Sequence, residues 1–374
     1  MIKYKNKMSP RELQFLNISQ KEYSIDEINT YLDSFISFPI TEKNISFFPF
    51  CYKPKISIII PVYNNQNYIL NLHKSIQDQS LEDIEIIYVD DCSTDNSIRI
   101  IENLQKKDQR IVLLKNKENK GPFYSRNKGA IFANGEYIQF IDSDDLIVGD
   151  ILIKAYIEAK AKILDIVQYK IIERHNNKNK IINEITKGDI IRQPELSDQM
   201  FYGKGFLQRD NYYILNKIIK RDTFLKSLMF FGDDILKQNL YINEDIIQLF
   251  SLLRVTHSLL FINHIGYIKF NRDENKLLLR NIRRNPSYAN RIFHDNFIEL
   301  KFLFDRTKND KYDKAICLDY LKTFLIQYGP ITRHITKGYE LFDKVFDSLL
   351  NYDYFDEDQK AQLDEFKNRI IINS

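Results

Sequence analysis

Glu136-Tyr137-Ile138-Gln139-Phe140-Ile141-Asp142-Ser143-Asp144-Asp145 joins a strand-like apolar run to a cluster of three carboxylates. The first six residues read as a buried β-strand. The acids then fall at its C-terminal end, where open α/β sheets bind their ligands. Carboxylates packed this closely repel one another unless a cation sits between them. Hard oxygen donors suit Mg²⁺ or Mn²⁺, and Mg²⁺ usually binds through one or two carboxylates plus substrate phosphates. Alone, the four residues Asp142 to Asp145 favour a plainer reading, a solvated acidic turn capping the next helix. The residues upstream reverse that balance.

Upstream, strands and helices alternate. Ile56-Ser57-Ile58-Ile59-Ile60 reads as a buried strand, 68–79 as a helix, 84–89 as a second strand, and 95–107 as a helix with Ser93 or Thr94 as N-cap. A third strand is expected at 111–114, a helix with Pro122 in its first turn at 122–134, and the fourth strand at 136–141. This alternation implies an α/β fold, a Rossmann-like and mainly parallel sheet with helices on both faces. The strands end in Pro61-Val62-Tyr63-Asn64-Asn65, Asp90-Asp91-Cys92-Ser93-Thr94-Asp95, Asn119-Lys120-Gly121-Pro122, and the acidic cluster. All four segments then lie at one edge of the sheet and can converge on one ligand.

Beyond the acids, 150–161 reads as helix, 163–169 as a further strand, and 174–212 as a polar, irregular insertion. Residues 213–270 return to order. From about 286 the pattern is amphipathic helix, for example 289–304 and 311–328. The expected organisation is an N-terminal helical and aromatic extension at 1–54, an α/β domain at 55–270, and a helical C-terminal region at 271–374.

At this point the chain resembles the family 2 glycosyltransferases, enzymes of the GT-A fold that move a sugar from a nucleotide-sugar with inversion. The resemblance lies in Pro61 to Asn65, Val89 to Asp95, Gly121 to Ala130, Gly135 to Asp145, Asn216 to Asp222, and Asn243-Glu244-Asp245. It covers roughly 55–270, and the order and spacing of the motifs make the set specific. It implies a UDP-sugar donor and a Mn²⁺ or Mg²⁺ cofactor. In the family's stretch resembling Asn216-Lys217 a Trp precedes the Asn, and Leu215 stands there in this chain.

Each residue also has a physical role that fits. Pro61 stops the strand, and Tyr63 offers a flat face to a base, the alternative being a core tyrosine at a strand end. Asp91, or Asp90 in its place, accepts a hydrogen bond from the base N–H, or else closes an Asx turn or caps a helix. Gly121 permits close backbone approach, and Arg126 pairs with phosphate or base oxygens, or is an exposed helix arginine. Asp144 is the expected direct metal ligand, with Asp142 touching ribose or metal. Asp145 is expected to carry helix N-terminal charge or to support its neighbours. By the resemblance, Asp245 is the general base for the acceptor hydroxyl and Glu244 orients it or holds the acceptor. The competing reading is an acidic helix start.

Composition bounds the remainder. The net charge of +3 gives no argument for nucleic acid, and three cysteines in 374 residues point to a reducing, cytoplasmic setting rather than a disulfide framework. No apolar run reaches the roughly 18 residues of a spanning helix. The chain has no Trp, so the Q-x-x-R-W signature of processive membrane synthases is absent, and transfer of one or a few sugars is expected. Arg280, Arg283, Arg284 and Arg291 form a basic cluster that reads as a solvated helix face or as a peripheral contact with anionic lipid or a phosphorylated acceptor. The C-terminal helices are a candidate homo-oligomer surface. Two other classes stay in view: a non-catalytic nucleotide-sugar-binding or scaffold protein on the same fold, and a nucleotidyltransferase. The latter wants a Gly-rich basic loop where Pro61 to Asn65 stands.

Overall fold

The computed structural model describes residues 53–175, 178–182, 190–192, 213–231, 235, 238–241, 244–270, 286–307, 346–347, 350 and 355–373. The expectations for 1–52, for 311–328, and for Arg280, Arg283 and Arg284 lie outside these residues. The chain divides into two compact units. One comprises Met1–Asp198, Asp210–Tyr241 and Gln248–Phe270, the other Gln199–Arg209, Ile242–Ile247 and Asn271–Ser374.

The first unit is built on β1 (Ile56–Val62), α1 (Ile69–Gln77), β2 (Ile84–Asp90), α2 (Ser97–Gln105), β3 (Ile111–Lys115), α3 (Gly121–Phe132) and β4 (Tyr137–Phe140). There follow β5 (Leu146–Ile147), α4 (Ile151–Lys162), β6 (Ile166–His175), β7 (Lys178–Ile182), β8 (Ile190–Arg192), β9 (Lys217–Lys220) and α5 (Arg221–Leu228). Helix α6 (Glu244–Val255) leads into β10 (Ser258–Phe270), and α7 (Pro286–Thr307) and α8 (Glu357–Asn373) belong to the second unit.

The sheet runs β3-β2-β1-β4-β9-β6-β10-β5, with β7 on β6 and β8 on β10. Strands β3, β2, β1 and β4 are mutually parallel and carry all four motif segments, the α/β arrangement that strand–helix alternation implies. Beyond them β9 runs antiparallel to both β4 and β6, while β6 and β10 are parallel to each other. The chain steps from β1 to β2 to β3 in one direction, then crosses back to set β4 on the other side of β1. Strand order therefore reverses between β1 and β4, and the crevice outside their C-terminal ends is where such sheets bind ligands.

Continuous apolar strands make this possible. Ile56, Ile58, Ile59 and Ile60 are buried in β1, as are Ile84, Ile86, Ile87 and Val89 in β2. Each fully buried side chain of this size contributes roughly 1.5–3 kcal/mol. Helix α3 packs on these strands where Gly129 has no side chain: an added Cβ would lie 2.4 Å from Ile59 Cγ2 and 3.2 Å from Val89 Cγ2. At the opposite edge Glu85, buried beside its register partner Ser57, accepts the Gly135 amide hydrogen at 3.2 Å and so ties the turn before β4 to β2.

Two expectations are corrected. The second helix begins at Ser97, with Asp95 Oδ1 accepting the Ser97 N–H at 2.9 Å, because the Ser93 and Thr94 side chains are engaged with the β1 loop instead. The segment 174–212 contains β7 and β8, short strands whose backbone groups pair with β6 and β10. Within the ordered stretch 213–270, the run 258–270 is a single strand, β10, with register shifts between Phe261 and Ile265 and between Ile265 and Tyr267.

Two outcomes follow from this packing. Gly129→Ala overpacks the α3 seam and should lower unfolding free energy by about 1–3 kcal/mol, read from the urea midpoint. His73 is buried on α1, with Nδ1 3.3 Å from the Tyr88 hydroxyl and Nε2 3.6 Å from Asp108. Burial lowers its pKa from the ordinary 6.5 against the pull of Asp108, so the folded state resists protonation. Below about pH 6.5 the unfolded chain takes up a proton that the folded one refuses, and stability falls with pH. The pH dependence of urea unfolding between 7 and 5 should be shallower in His73→Phe.

Candidate functional site

The loops after β1 and β2 are stitched together by their own side chains. Asn64 adopts φ 52°, a left-handed conformation that Asn tolerates better than most residues. Its Oδ1 accepts from Thr94 N–H at 2.8 Å and Asp95 N–H at 3.3 Å, and its own N–H donates to Ser93 Oγ at 3.0 Å. Asn65 N–H donates to Ser97 Oγ at 3.0 Å and Gln66 N–H to Asp95 Oδ2 at 3.1 Å. Pro61 does not end β1, which runs on to Val62. Ile59 bonds the β4 side, its carbonyl accepting from Ile141, and Pro61, two residues on, turns its missing N–H to that side beyond the last β1–β4 pair. Tyr63 stands 48% exposed beside this loop, which excludes the core-tyrosine reading.

The two aspartates of β2's end differ. Asp90 is buried and its carboxylate accepts Ser93 N–H at 3.2 and 3.4 Å, the Asx-turn alternative. Asp91, also buried, is held by the N-terminus of α3: Oδ1 accepts from Asn116 Nδ2 and Lys120 N–H, each at 2.8 Å, and Oδ2 accepts from Gly121 N–H at 2.7 Å. A carboxylate at a helix N-terminus is stabilised by the unpaired amides there. Gly121 has φ +87°, and a Cβ on it would sit 2.5 Å from the Leu240 carbonyl oxygen, so its close approach is to the protein's own backbone.

Arg126 lies one turn along α3, 6% exposed, and donates through Nη2 to Asp142 Oδ1 at 2.7 Å. It is not a solvent-exposed helix arginine. Burial pushes the Asp142 carboxyl up, but the charges of Arg126 and Lys269 outweigh it and hold its pKa below the ordinary value. Lys128, two residues further, donates from Nζ to the Lys115 carbonyl and to Asn116 Oδ1, both at 2.9 Å. Burial draws its pKa down to about 8, against the pull of Asp91.

The acidic turn is fixed by β10. Asp142 N–H donates to the Tyr267 hydroxyl at 3.1 Å, and that hydroxyl donates to Asp145 Oδ2 at 2.8 Å. Phe270 N–H donates to Asp145 Oδ1 at 2.9 Å. Asp145 therefore begins no helix: β5 follows it at once and α4 starts only at Ile151. Burial, then the charges of Asp142 and Asp144, raise its pKa well above the ordinary carboxylate range. Among the described residues no group of three or more His, Cys, Asp or Glu is arranged to hold a metal unaided. The hard oxygens of Asp142 and half-buried Asp144 fit a divalent cation that takes its other ligands from phosphate and water.

The description "Glycosyl transferase family 2" matches residues 57–223. The chain carries a family 2 glycosyltransferase domain. A Haemophilus influenzae protein described as an "uncharacterized glycosyltransferase" is 34% identical over 179 residues, 47% of this chain and 66% of that one. The "GalNAc(5)-diNAcBac-PP-undecaprenol beta-1,3-glucosyltransferase" of Campylobacter jejuni is 34% identical over 149 residues, 40% of this chain and 47% of that one. The chain thus spans about half to two thirds of the length of these relatives. The crystal structure of S. aureus TarS 1-349 is 20% identical, with a TM-score of 0.48, covering 84% of this chain and 91% of that one.

Within the glycosyltransferase domain, Pro61, Tyr63, Asp90, Asp91, Gly121, Arg126, Asp142 and Asp144 stand at the C-terminal edge of the parallel strands. Glu244, buried, and Asp245, half-buried, open α6 and belong to the second unit. His257 and His264 are both exposed. Asn116, Lys128 and Tyr267 join this edge without having been singled out. For Lys128 a signal existed: Ser125, Arg126, Asn127 and Lys128 are consecutive polar residues in a helix packed between apolar strands, so some had to be buried.

Arg126→Met removes the guanidinium hydrogen-bonded to the Asp142 carboxylate and leaves it only the more distant charge of Lys269. Asp142 retains partial solvent access, so the expected loss is about 1–3 kcal/mol, less than for a fully buried pair, read from urea unfolding at pH 7.

Proposed function

We propose that this chain is an inverting glycosyltransferase that moves a sugar from a UDP-sugar to a hydroxyl of a glycan, lipid or protein acceptor. Asp144 and Asp142 would hold Mn²⁺ or Mg²⁺, and Asp245 serves as base. One observation carries the reading: at the β1–β4 reversal an exposed aromatic face and a buried carboxylate (Tyr63, Asp91) accompany a cation and an acidic turn (Arg126, Asp142, Asp144). These are the groups that a base, a ribose and a diphosphate require.

Tyr63 stacks on the uracil ring, and Asp91 accepts its imide N–H. Arg126 keeps Asp142 charged and oriented toward the ribose. Asp144 and Asp142 would hold the cation, which when bound would supply charge compensation for the departing UDP. Asp245 takes the proton of the attacking hydroxyl, positioned by Glu244. The Campylobacter relative's name specifies a beta linkage, and a β product from an α-linked donor requires inversion. Residues 55–270 form the catalytic domain in this reading.

The test is nucleotide release from a panel of UDP-, GDP- and dTDP-sugars with Mn²⁺, with and without EDTA and candidate acceptors. Expected is release from one UDP-sugar, dependent on the cation, and falling about 100-fold or more in Asp144→Ala and Asp245→Asn. UDP binding without turnover on any acceptor would favour a binding or scaffold protein. Failure of the folded chain to bind any nucleotide would sink both readings.

A further inference from the structure

The surroundings of Asp91 limit what it can still accept. Oδ1 takes two donors, Asn116 Nδ2 and Lys120 N–H, and Oδ2 takes one, Gly121 N–H. A carboxylate offers about four acceptor positions, so a single one remains, on Oδ2. An imide base, uracil or thymine, presents one N–H between two carbonyls. Guanine presents two adjacent N–H donors, which pair with a carboxylate through both of its oxygens. With Oδ1 filled, that two-point pairing is blocked.

Asn116 is the side chain that completes Oδ1. A side-chain amide can stand in either of two orientations related by a flip. In the flipped state its oxygen would face the Asp91 oxygen, acceptor against acceptor. Lys128 decides the matter, because an ammonium can only donate and needs the amide oxygen facing it. Its Nζ meets Asn116 Oδ1 and the Lys115 carbonyl, both at 2.9 Å, while Asn116 Nδ2 also meets Ser125 Oγ at 3.0 Å. Lys128 and Asn116 are both more than nine-tenths buried, so solvent does not compete for these bonds.

We propose that Asn116 and Lys128 are positioning residues for base selection. They hold one donor on Asp91 Oδ1 and so leave an acceptor for a single imide N–H while rejecting guanine. This rests on the UDP-sugar reading above and names the groups behind its choice of base.

The test is calorimetric titration of the full chain, with Mn²⁺, against UDP, GDP and N3-methyl-UDP, which lacks the imide hydrogen. Wild type, Lys128→Met and Asn116→Ala are compared, and thermal unfolding checks that each is folded. Wild type should prefer UDP over both analogues by about tenfold or more, the value of roughly one hydrogen bond to a charged group. In both variants the preference over GDP should shrink to about threefold or less, as Oδ1 becomes open to a second donor, while the preference over N3-methyl-UDP, which reports the acceptor on Oδ2, is retained. A role in folding alone would lower Tm and all three affinities together and leave the ratios intact. Folded variants that keep the wild-type preference over GDP would overturn the inference. Should Lys128→Met not fold, Asn116→Ala decides, because it leaves Lys128 bonded to the Lys115 carbonyl. A wild-type chain that binds UDP and N3-methyl-UDP equally would instead overturn the assignment of Asp91 to the base, and the inference with it.

Discussion

Helix α3 lies against β1 and β2 at a separation set by an absent side chain. At Gly129 the helix backbone comes so near Ile59 and Val89 that even a methyl group would collide. Interiors packed at crystal density have no slack to absorb such an error. Everything α3 presents to the site is measured from that contact. The amides of Lys120 and Gly121 reach Asp91, Arg126 reaches Asp142, and Lys128 reaches under the β3 end to Asn116. A shift of the helix outward would move all of these together.

Much of the motif chemistry is spent on the motifs themselves. Asn64 binds the loop after β2, Asp90 closes its own turn, and Asp91 caps a neighbouring helix. These contacts leave each side chain little freedom, and a site built from such groups is ordered before any ligand arrives. The left-handed conformations of Asn64 and Cys92, φ 52° and 66°, sit within the same pair of loops. Backbone strain of this kind persists where surrounding bonds over-determine the geometry.

The parallel core was legible because its strands are long apolar runs and its helices keep their period, so 56–60, 84–89, 111–114 and 136–141 each fall on an observed strand. The acidic turn was legible from its place after β4. Elements stabilised by distant partners were not. Strands β5, β7 and β8 have two, five and three residues and exist only by pairing with β10 or β6. Ser93 and Thr94 looked like caps because their best partner, Asn64, lies some thirty residues away. Asp145 looked like a helix start because nothing nearby in sequence announces Tyr267, more than a hundred residues on. The buried state of Lys128 likewise depends on carbonyl groups outside its helix.

The crevice between β1 and β4 has a consequence for how the domain comes into being. Ile56 pairs with Tyr137, so its two walls are about eighty residues apart in the chain. Joining them requires closure of a long loop, an entropic cost recovered only when the intervening strands and helices have docked. No fragment ending before β4 possesses both walls of the crevice. Any ligand that fills the crevice therefore clasps the first and last strands of the parallel core, and its binding free energy adds to the stability of the folded domain as a whole.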